Sequence, residues 1–322
     1  MEPLLKLTGL KKHFVEGNFQ KKVLKAVDGI DLEIYPGETV GLVGESGCGK
    51  STLGRAVINL HSPTEGSVQF RGEEISRYRT KQMRPLRRQM QFIFQDPYAS
   101  LDPRKTVFQL VKAPLDAFKV GTEAERRQKV ADMLHFVGMN DYQFDKLPHE
   151  LSGGQRQRVV IARTMVLEPS FVVCDEPVSA LDVSVRAQVL NLMKRVQKEK
   201  NLAYLFISHD MSVVRYMCDK VAVMYLGRIV EFGTREDIFE RPLHPYTKAL
   251  LSAVPVPDVG SKRQRIILSG DVPSPLNPPS GCRFHTRCPH ACEECSRAEC
   301  GLHAVSSTHF VACPRAEETE VH

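Results

Sequence analysis

The sequence predicts an α/β protein built on a mainly parallel sheet. Three observations predict it. The runs Thr39-Val40-Gly41-Leu42-Val43, Phe171-Val172-Val173-Cys174 and Ala203-Tyr204-Leu205-Phe206-Ile207 are short, apolar and of buried-strand length. Helical periodicity fills the intervals between them. A glycine-rich loop directly follows the first run and opens a helix.

Taken in order, Asp31-Leu32-Glu33-Ile34-Tyr35 alternates polar and apolar residues as a half-buried strand does, and Pro36-Gly37 turns the chain into the first buried strand. After the loop, Leu53, Ala56, Val57 and Leu60 fall at helical spacing. Residues 122–137 read as an amphipathic helix. Thr122 and Glu125 form a capping box, Val130, Met133, Leu134 and Val137 share one face, and Gly138 stops it. A further helix starts with Ser152 as N-cap and ends before Pro169. No internal repeat is present. Composition changes near residue 255, and Asp271–Gly281 carries four prolines, as a stiff connector would. The expected domains are therefore 1–255, with a helical subdomain over about 96–158, and 256–322, a proline-rich linker followed by a cysteine-rich extension. The acidic tail from Ala316 to His322 is expected to fray.

Composition bounds the function. With 322 residues, 42% hydrophobic and 25% charged, the chain is an ordinary folded protein of about two domains. No window reaches the roughly 18 consecutive apolar residues of a membrane span. Met1–Lys6 lacks the charged and apolar regions of a secretory signal. The chain is expected to be cytosolic, docked on a membrane protein at most. The 44 Lys and Arg against 38 Asp and Glu leave a net charge of +6, too little for a nucleic-acid coat. One basic stretch, with Arg77, Arg79, Lys81, Arg84, Arg87 and Arg88, is either a phosphate-binding surface or a solvated face.

Chemistry begins with Gly44-Glu45-Ser46-Gly47-Cys48-Gly49-Lys50-Ser51, which fits G-x-x-x-x-G-K-[ST]. Glycines let backbone N–H groups turn onto phosphates at the positive end of a helix, Lys50 supplies a point charge to the β- and γ-phosphates, and the Ser51 hydroxyl suits Mg²⁺. A mere tight turn would explain the glycines but not Lys50-Ser51. Asp175 and Glu176 close the second apolar run, at the carboxyl edge of a sheet where ligands bind. There Asp175 would hold Mg²⁺, and Glu176 would orient the attacking water. Leu151-Ser152-Gly153-Gly154-Gln155 places two glycines at a helix start, where they weaken the helix unless its N–H groups must meet an anion closely. A second anion-facing helix beside a complete phosphate loop implies a second nucleotide, held between two chains.

These motifs resemble the ABC ATPase family, for which Leu151–Gln155 is the family motif. The resemblance assigns roles to further residues. ATP contacts would run from Gly44 through Thr52, with Ser152, Gly153, Gly154, Gln155 and Asp182 reaching across the dimer. Gln95 matches the Q-loop glutamine near the Mg²⁺, and Ser179-Ala180-Leu181-Asp182 matches the D-loop. His209 matches the switch histidine at the γ-phosphate. Phe14 is the candidate for stacking on adenine, with Phe19 as alternative. The implied fold is a P-loop ABC core, a mainly parallel sheet plus an antiparallel β-subdomain, with a helical subdomain.

Three longer segments, Phe94–Pro103, Arg241–Leu251 and Ser274–Cys282, are similar to the ATP-binding subunits of dipeptide/oligopeptide permeases. Gly41–Lys50 is similar to their second, F-type dipeptide subunit. The resemblance covers nearly the whole chain. It implies a peripheral location on the cytoplasmic face of the inner membrane, a second ATPase subunit as partner, two transmembrane permease subunits, a lipoprotein or periplasmic protein delivering peptide, and no nucleic acid. Related subunits handle nickel chelates or glutathione. A soluble ABC ATPase of DNA repair or translation fits less well, since one cassette is present and no coiled coil separates its motifs. A metal-binding regulator with a vestigial ATPase does not account for the intact Glu176 and His209.

Six of the nine cysteines lie in the last 41 residues. In a cytosolic chain such a cluster points to metal more than to disulfides. Cys282, Cys288, Cys295 and Cys313 match the spacing of the permease subunits' C-terminal extension, which the resemblance associates with a [4Fe-4S] cluster. Four thiolates suit Zn²⁺ as well, Cys292-x2-Cys295 being zinc-like, with Cys300, His285, His290 and His303 as further donors.

Overall fold

The computed structural model describes residues 2–16, 22–254 and 266–316. Phe19 and most of the acidic tail lie outside these residues. The chain divides into two compact units: residues 1–34, 39–77 and 206–322 form one, and residues 35–38 and 78–205 the other.

The first unit opens with an antiparallel sheet. β1 (Leu5–Glu16) pairs with β2 (Lys22–Ile34) from Leu5 opposite Ile34 to Phe14 opposite Leu24 and beyond, and on its other edge with β4 (Glu65–Phe70), which carries the short β5 (Glu73–Glu74). Along β2 the expected alternation holds, with Ile30, Leu32 and Ile34 buried between more accessible polar neighbours. β3 (Thr39–Val43) is buried at every residue and leads through the glycine loop into α1 (Lys50–Val57). Leu60, expected on that helix, lies beyond its end and is 41% exposed. Asn59 explains the stop: it adopts φ +53 and its side chain donates to the Ile75 carbonyl at 3.1 Å.

Around β3 this unit builds a second, mixed sheet in the order β11-β12-β10-β9-β3. β9 (Lys220–Tyr225) runs parallel to β3, while β10 (Arg228–Thr234), β12 (Phe310–Val311) and β11 (His303–Ala304) continue antiparallel. The parallel core of the sheet thus gains an antiparallel edge, and the last two strands come from the cysteine-rich extension. α8 (Met211–Met217), α9 (Arg235–Glu240), α10 (Pro245–Ser252) and α11 (Glu293–Arg297) complete the unit.

The second unit holds α2 (Thr80–Leu86), β6 (Met90–Ile93), α3 (Pro97–Ser100), α4 (Val107–Ala117), α5 (Glu123–Phe136), α6 (Gly153–Met165), β7 (Phe171–Asp175), α7 (Val183–Lys200) and most of β8 (Ala203–Ile207). Its strands lie in the order β8-β7-β6, with β6 parallel to β7 from Met90–Phe171 to Ile93–Cys174. Capping fixes the helices where expected. The Thr122 hydroxyl accepts from the Glu125 N–H at 3.3 Å, and the Glu125 carboxylate takes the Thr122 N–H at 2.7 Å. Val130, Leu134 and Val137 bury the inward face of α5, and Gly138 ends it. No helix among the described residues is long and apolar enough to cross a membrane.

Candidate functional site

The glycine loop is a cradle of backbone groups. Gly49 caps α1 with φ +107 and no side-chain cap hydrogen bond, a helix start of the kind that can meet an anion. A Cβ at Gly49 would collide with the Ala26 carbonyl of β2, so only glycine fits there. Lys50 is buried, and its ammonium donates to the carbonyls of Gly44 at 2.7 Å and Glu45 at 2.9 Å, with Cys48 Sγ at 3.6 Å. Burial pushes the Cys48 thiol up, against the pull of Lys50. Ser46 and Gly47 are exposed, and Ser51 and Thr52 are half-buried at the helix start.

Glu45 is engaged on all sides. Its N–H donates to the Tyr246 hydroxyl at 2.8 Å, and its carboxylate takes two bonds from Arg287, at 2.7 and 3.1 Å. Neither partner was visible as part of this site in the sequence, where they stand 201 and 242 residues away. His209 is exposed in the same unit. The preceding Ser208 N–H bonds the Leu42 carbonyl at 3.2 Å, which sets His209 just after the strand neighbouring the loop. Phe14 is half-buried on β1, edge-on to His61 and with Lys12 Nζ 5.0 Å from its ring centre.

The second unit carries the acids. Asp175 ends β7 and is 2% exposed. Glu176 adopts φ +48, a conformation that strains any residue but glycine. The following turn holds it there: Ser179 donates to the Glu176 carbonyl through both N–H, at 3.3 Å, and Oγ, at 3.1 Å. The exposed Gln95 reaches the Glu176 carboxylate, Nε2 to Oε2, at 3.0 Å. Asp182 begins α7 without a side-chain cap and is exposed.

Ser152 caps α6 in a complete capping box with Gln155. Ser152 and Gly153 are exposed, so the helix start is open to a ligand. Gly154 is buried, and a Cβ there would strike the Val185 side chain of α7. The basic stretch around α2 is solvated, with Arg77, Arg79, Lys81, Arg84 and Arg88 all exposed.

Among the six C-terminal cysteines none is disulfide-bonded, and all six, Cys282, Cys288, Cys292, Cys295, Cys300 and Cys313, line one cavity of about 270 Å³. Burial pushes the Cys288 and Cys300 thiols up to about 11 and raises Cys282 and Cys313. Among the described residues no three His, Cys, Asp or Glu side chains converge as a single metal ion requires.

The ABC transporter family model matches residues 27–179, and the model for the oligopeptide/dipeptide transporter C-terminal region matches residues 230–295. The oligopeptide transport ATP-binding protein AppF of Bacillus subtilis is 51% identical over 319 residues, covering 97% of this chain and 97% of that protein. This chain belongs to the oligopeptide/dipeptide branch of the ABC transporter ATP-binding proteins. The family member OppF of Escherichia coli is 46% identical over 323 residues, 98% of this chain and 96% of OppF. Among solved structures, CbiO1 of Clostridium perfringens, part of an ABC transporter complex, matches with TM-score 0.65 at 31% identity, covering 75% of this chain and 92% of that one. The cassette MJ0796, a dimer solved with ADP and Pi bound, matches with TM-score 0.65 at 27% identity, covering 72% and 98%. Both matches cover roughly three quarters of this chain and show a shared fold.

Proposed function

We propose that this chain is the ATP-hydrolysing subunit of an importer for dipeptides or oligopeptides. The observation that carries the reading is one polypeptide holding an intact phosphate loop, a Glu176 held in place after a buried Asp175, and a C-terminal region of the oligopeptide/dipeptide type. Peptide is favoured over nickel chelates and glutathione because the C-terminal family and the relatives' names concern peptides.

In this reading Lys50 and the N–H groups from Gly47 to Thr52 take the β- and γ-phosphates, and Phe14 stacks on adenine. Ser51, Gln95 and Asp175 are chemically a hard-oxygen donor set that suits Mg²⁺, which neutralises phosphate charge when bound. Glu176 orients the attacking water and takes its proton, Gln95 holds the Glu176 carboxylate, and His209 meets the γ-phosphate. Ser152, Gly153, Gly154 and Gln155 serve the nucleotide of a second, different ATPase subunit, with Asp182 at the interface. Loss of the γ-phosphate contacts on hydrolysis lets that pair open. The partners are two membrane subunits, received by the helical segment over about 96–158, and an outer peptide-binding protein. The location is the cytoplasmic face of the cell membrane.

All six C-terminal thiols are free and line one void, which supports a thiolate-held group there. Cys282, Cys288, Cys295 and Cys313 would hold a [4Fe-4S] cluster, which would cross-link the extension and add a redox-active centre. Four thiolates suit Zn²⁺ as well, which is the alternative occupant. Iron and acid-labile sulfide in anaerobically purified protein are the expected result. Stoichiometric zinc without sulfide rejects the cluster.

The function is tested by co-expressing the chain with candidate membrane and partner subunits. Peptide-stimulated ATP hydrolysis is expected, and Glu176→Gln should keep ATP binding while lowering turnover by roughly 10²- to 10⁴-fold. Wild-type turnover in the assembled Glu176→Gln complex refutes the role of Glu176.

A further inference from the structure

We propose that Arg287, in the cysteine-rich extension, is a positioning residue of the ATP site: it fixes the phosphate loop by clamping Glu45. The clamp is bidentate, with Arg287 donating to both carboxylate oxygens of Glu45 at 2.7 and 3.1 Å. The Arg287 side chain is 8% exposed and that of Glu45 28%, so the pair is largely shielded from water. Paired forks of this kind set orientation as well as charge.

The clamp reaches the loop's working group through one residue. Glu45 receives Arg287 on its carboxylate, gives its N–H to the Tyr246 hydroxyl at 2.8 Å, and presents its carbonyl to Lys50 Nζ at 2.9 Å. Arg287 is therefore two bonding steps from the lysine that meets phosphate, without touching phosphate itself. The support behind the clamp is rigid. Arg287 lies 6.0 Å from the Tyr225 ring centre, and Tyr225, Tyr246 and Phe284 pack ring on ring at 4.8 to 5.4 Å. Arg283, at the other end of the same short segment, is bonded to the Leu226 carbonyl and the Asp28 carboxylate. Cys282, Phe284, His285 and Cys288 of this stretch also line the thiol cavity. A segment outside the nucleotide-binding motifs thus holds the loop's second residue by its carboxylate, while Tyr246 takes its N–H.

This inference deepens the ATPase reading and rests on it. The test measures MgATP affinity of the full chain, by displacement of a fluorescent ATP analogue, alongside the unfolding midpoint without nucleotide. In the assembled complex it also measures KM and kcat. Arg287→Ala should weaken MgATP binding and raise KM by roughly tenfold while kcat stays within about twofold, because Arg287 touches no reacting atom. Arg287→Lys, a point charge in place of a fork, should fall between. Glu45→Ala should weaken binding as well, and adding Arg287→Ala to it should weaken binding little further, the signature of a direct pair. Wild-type affinity and KM in Arg287→Ala overturns the proposal. So does equal weakening in Arg287→Ala and Arg287→Lys, additive with that of Glu45→Ala and with the unfolding midpoint falling in step, the signature of a purely structural anchor. A wild-type chain that binds no MgATP would instead remove the ATPase reading itself, and the proposal with it.

Discussion

Replacing Arg283 by methionine should destabilise the first unit by breaking a buried ion pair. Arg283 and Asp28 are bonded side chain to side chain, with 6% and 7% of each side chain exposed. Arg283 also donates to the Leu226 carbonyl. Methionine keeps much of the side-chain volume and removes every donor. Stripping one partner from a buried pair costs about 3–5 kcal/mol. Asp28 keeps His13, whose Nε2 lies 2.9 Å away, and Arg228 at 3.6 Å, so the lower end, about 3 kcal/mol, applies. For a chain of this size that is roughly a 5–10 °C fall in midpoint. The chain has no tryptophan, so circular dichroism during thermal and urea unfolding at pH 7, without nucleotide, is the suitable assay. Asp28→Asn combined with Arg283→Met should recover much of the loss, because the stranded carboxylate is then gone. A single-mutant loss under about 0.5 kcal/mol, or a double mutant no better than the single, refutes the argument. Burial raises the Asp28 carboxyl, but His13 and Arg283 outweigh it and hold it below its ordinary value. Its stabilising contribution is therefore present above the ordinary carboxylate range and fades as pH falls through the lowered folded value.

Three further outcomes follow from the geometry. Ser152→Ala removes the acceptor for the Gln155 N–H and should cost about 1 kcal/mol in unfolding experiments, while lowering ATPase activity of the assembled complex by more than that loss explains. Gly154→Val should cost about 1–3 kcal/mol by forcing Val185 aside, whereas Gly153→Ala, with only the Leu181 side chain at 3.5 Å, should change the unfolding midpoint little. His244 is buried, its Nδ1 accepts the Tyr246 N–H at 3.1 Å, and burial pushes its pKa down to about 4, with Glu231 partly opposing. The unfolded chain takes up that proton near pH 6.5 and the folded chain only near 4, so stability should fall as pH drops across that window. His244→Asn keeps an N-cap acceptor and should flatten this dependence in midpoints measured from pH 7.5 to 4.5. An unchanged slope removes His244 as its cause.

Much of the fold was legible because its signals are local. Buried strands such as Phe171–Asp175 read as apolar runs, Thr122 with Glu125 read as a capping box, and Ser152 read as an N-cap. The phosphate loop was legible because Gly49, Lys50 and Ser51 combine backbone freedom with charge in eight consecutive residues. Local spacing failed at Leu60, where Asn59 turns the chain before the apolar period ends. Gly154 carried a packing constraint that its motif did not reveal, because Val185 belongs to another helix.

The sequence alone determined the local pieces, since the glycine loop, the helix caps and the buried strands are written in neighbouring residues whose backbone and charge act over a few ångströms. Only the tertiary structure decided what supports them. Glu45 meets Tyr246 and Arg287 across 201 and 242 residues, Asp28 meets Arg283 across 255, and β12 joins β10 beside a buried Glu231 that takes His309 at 2.8 Å. Such pairings depend on where the packed chain places side chains far apart in sequence, and no local pattern of charge or hydropathy encodes that distance.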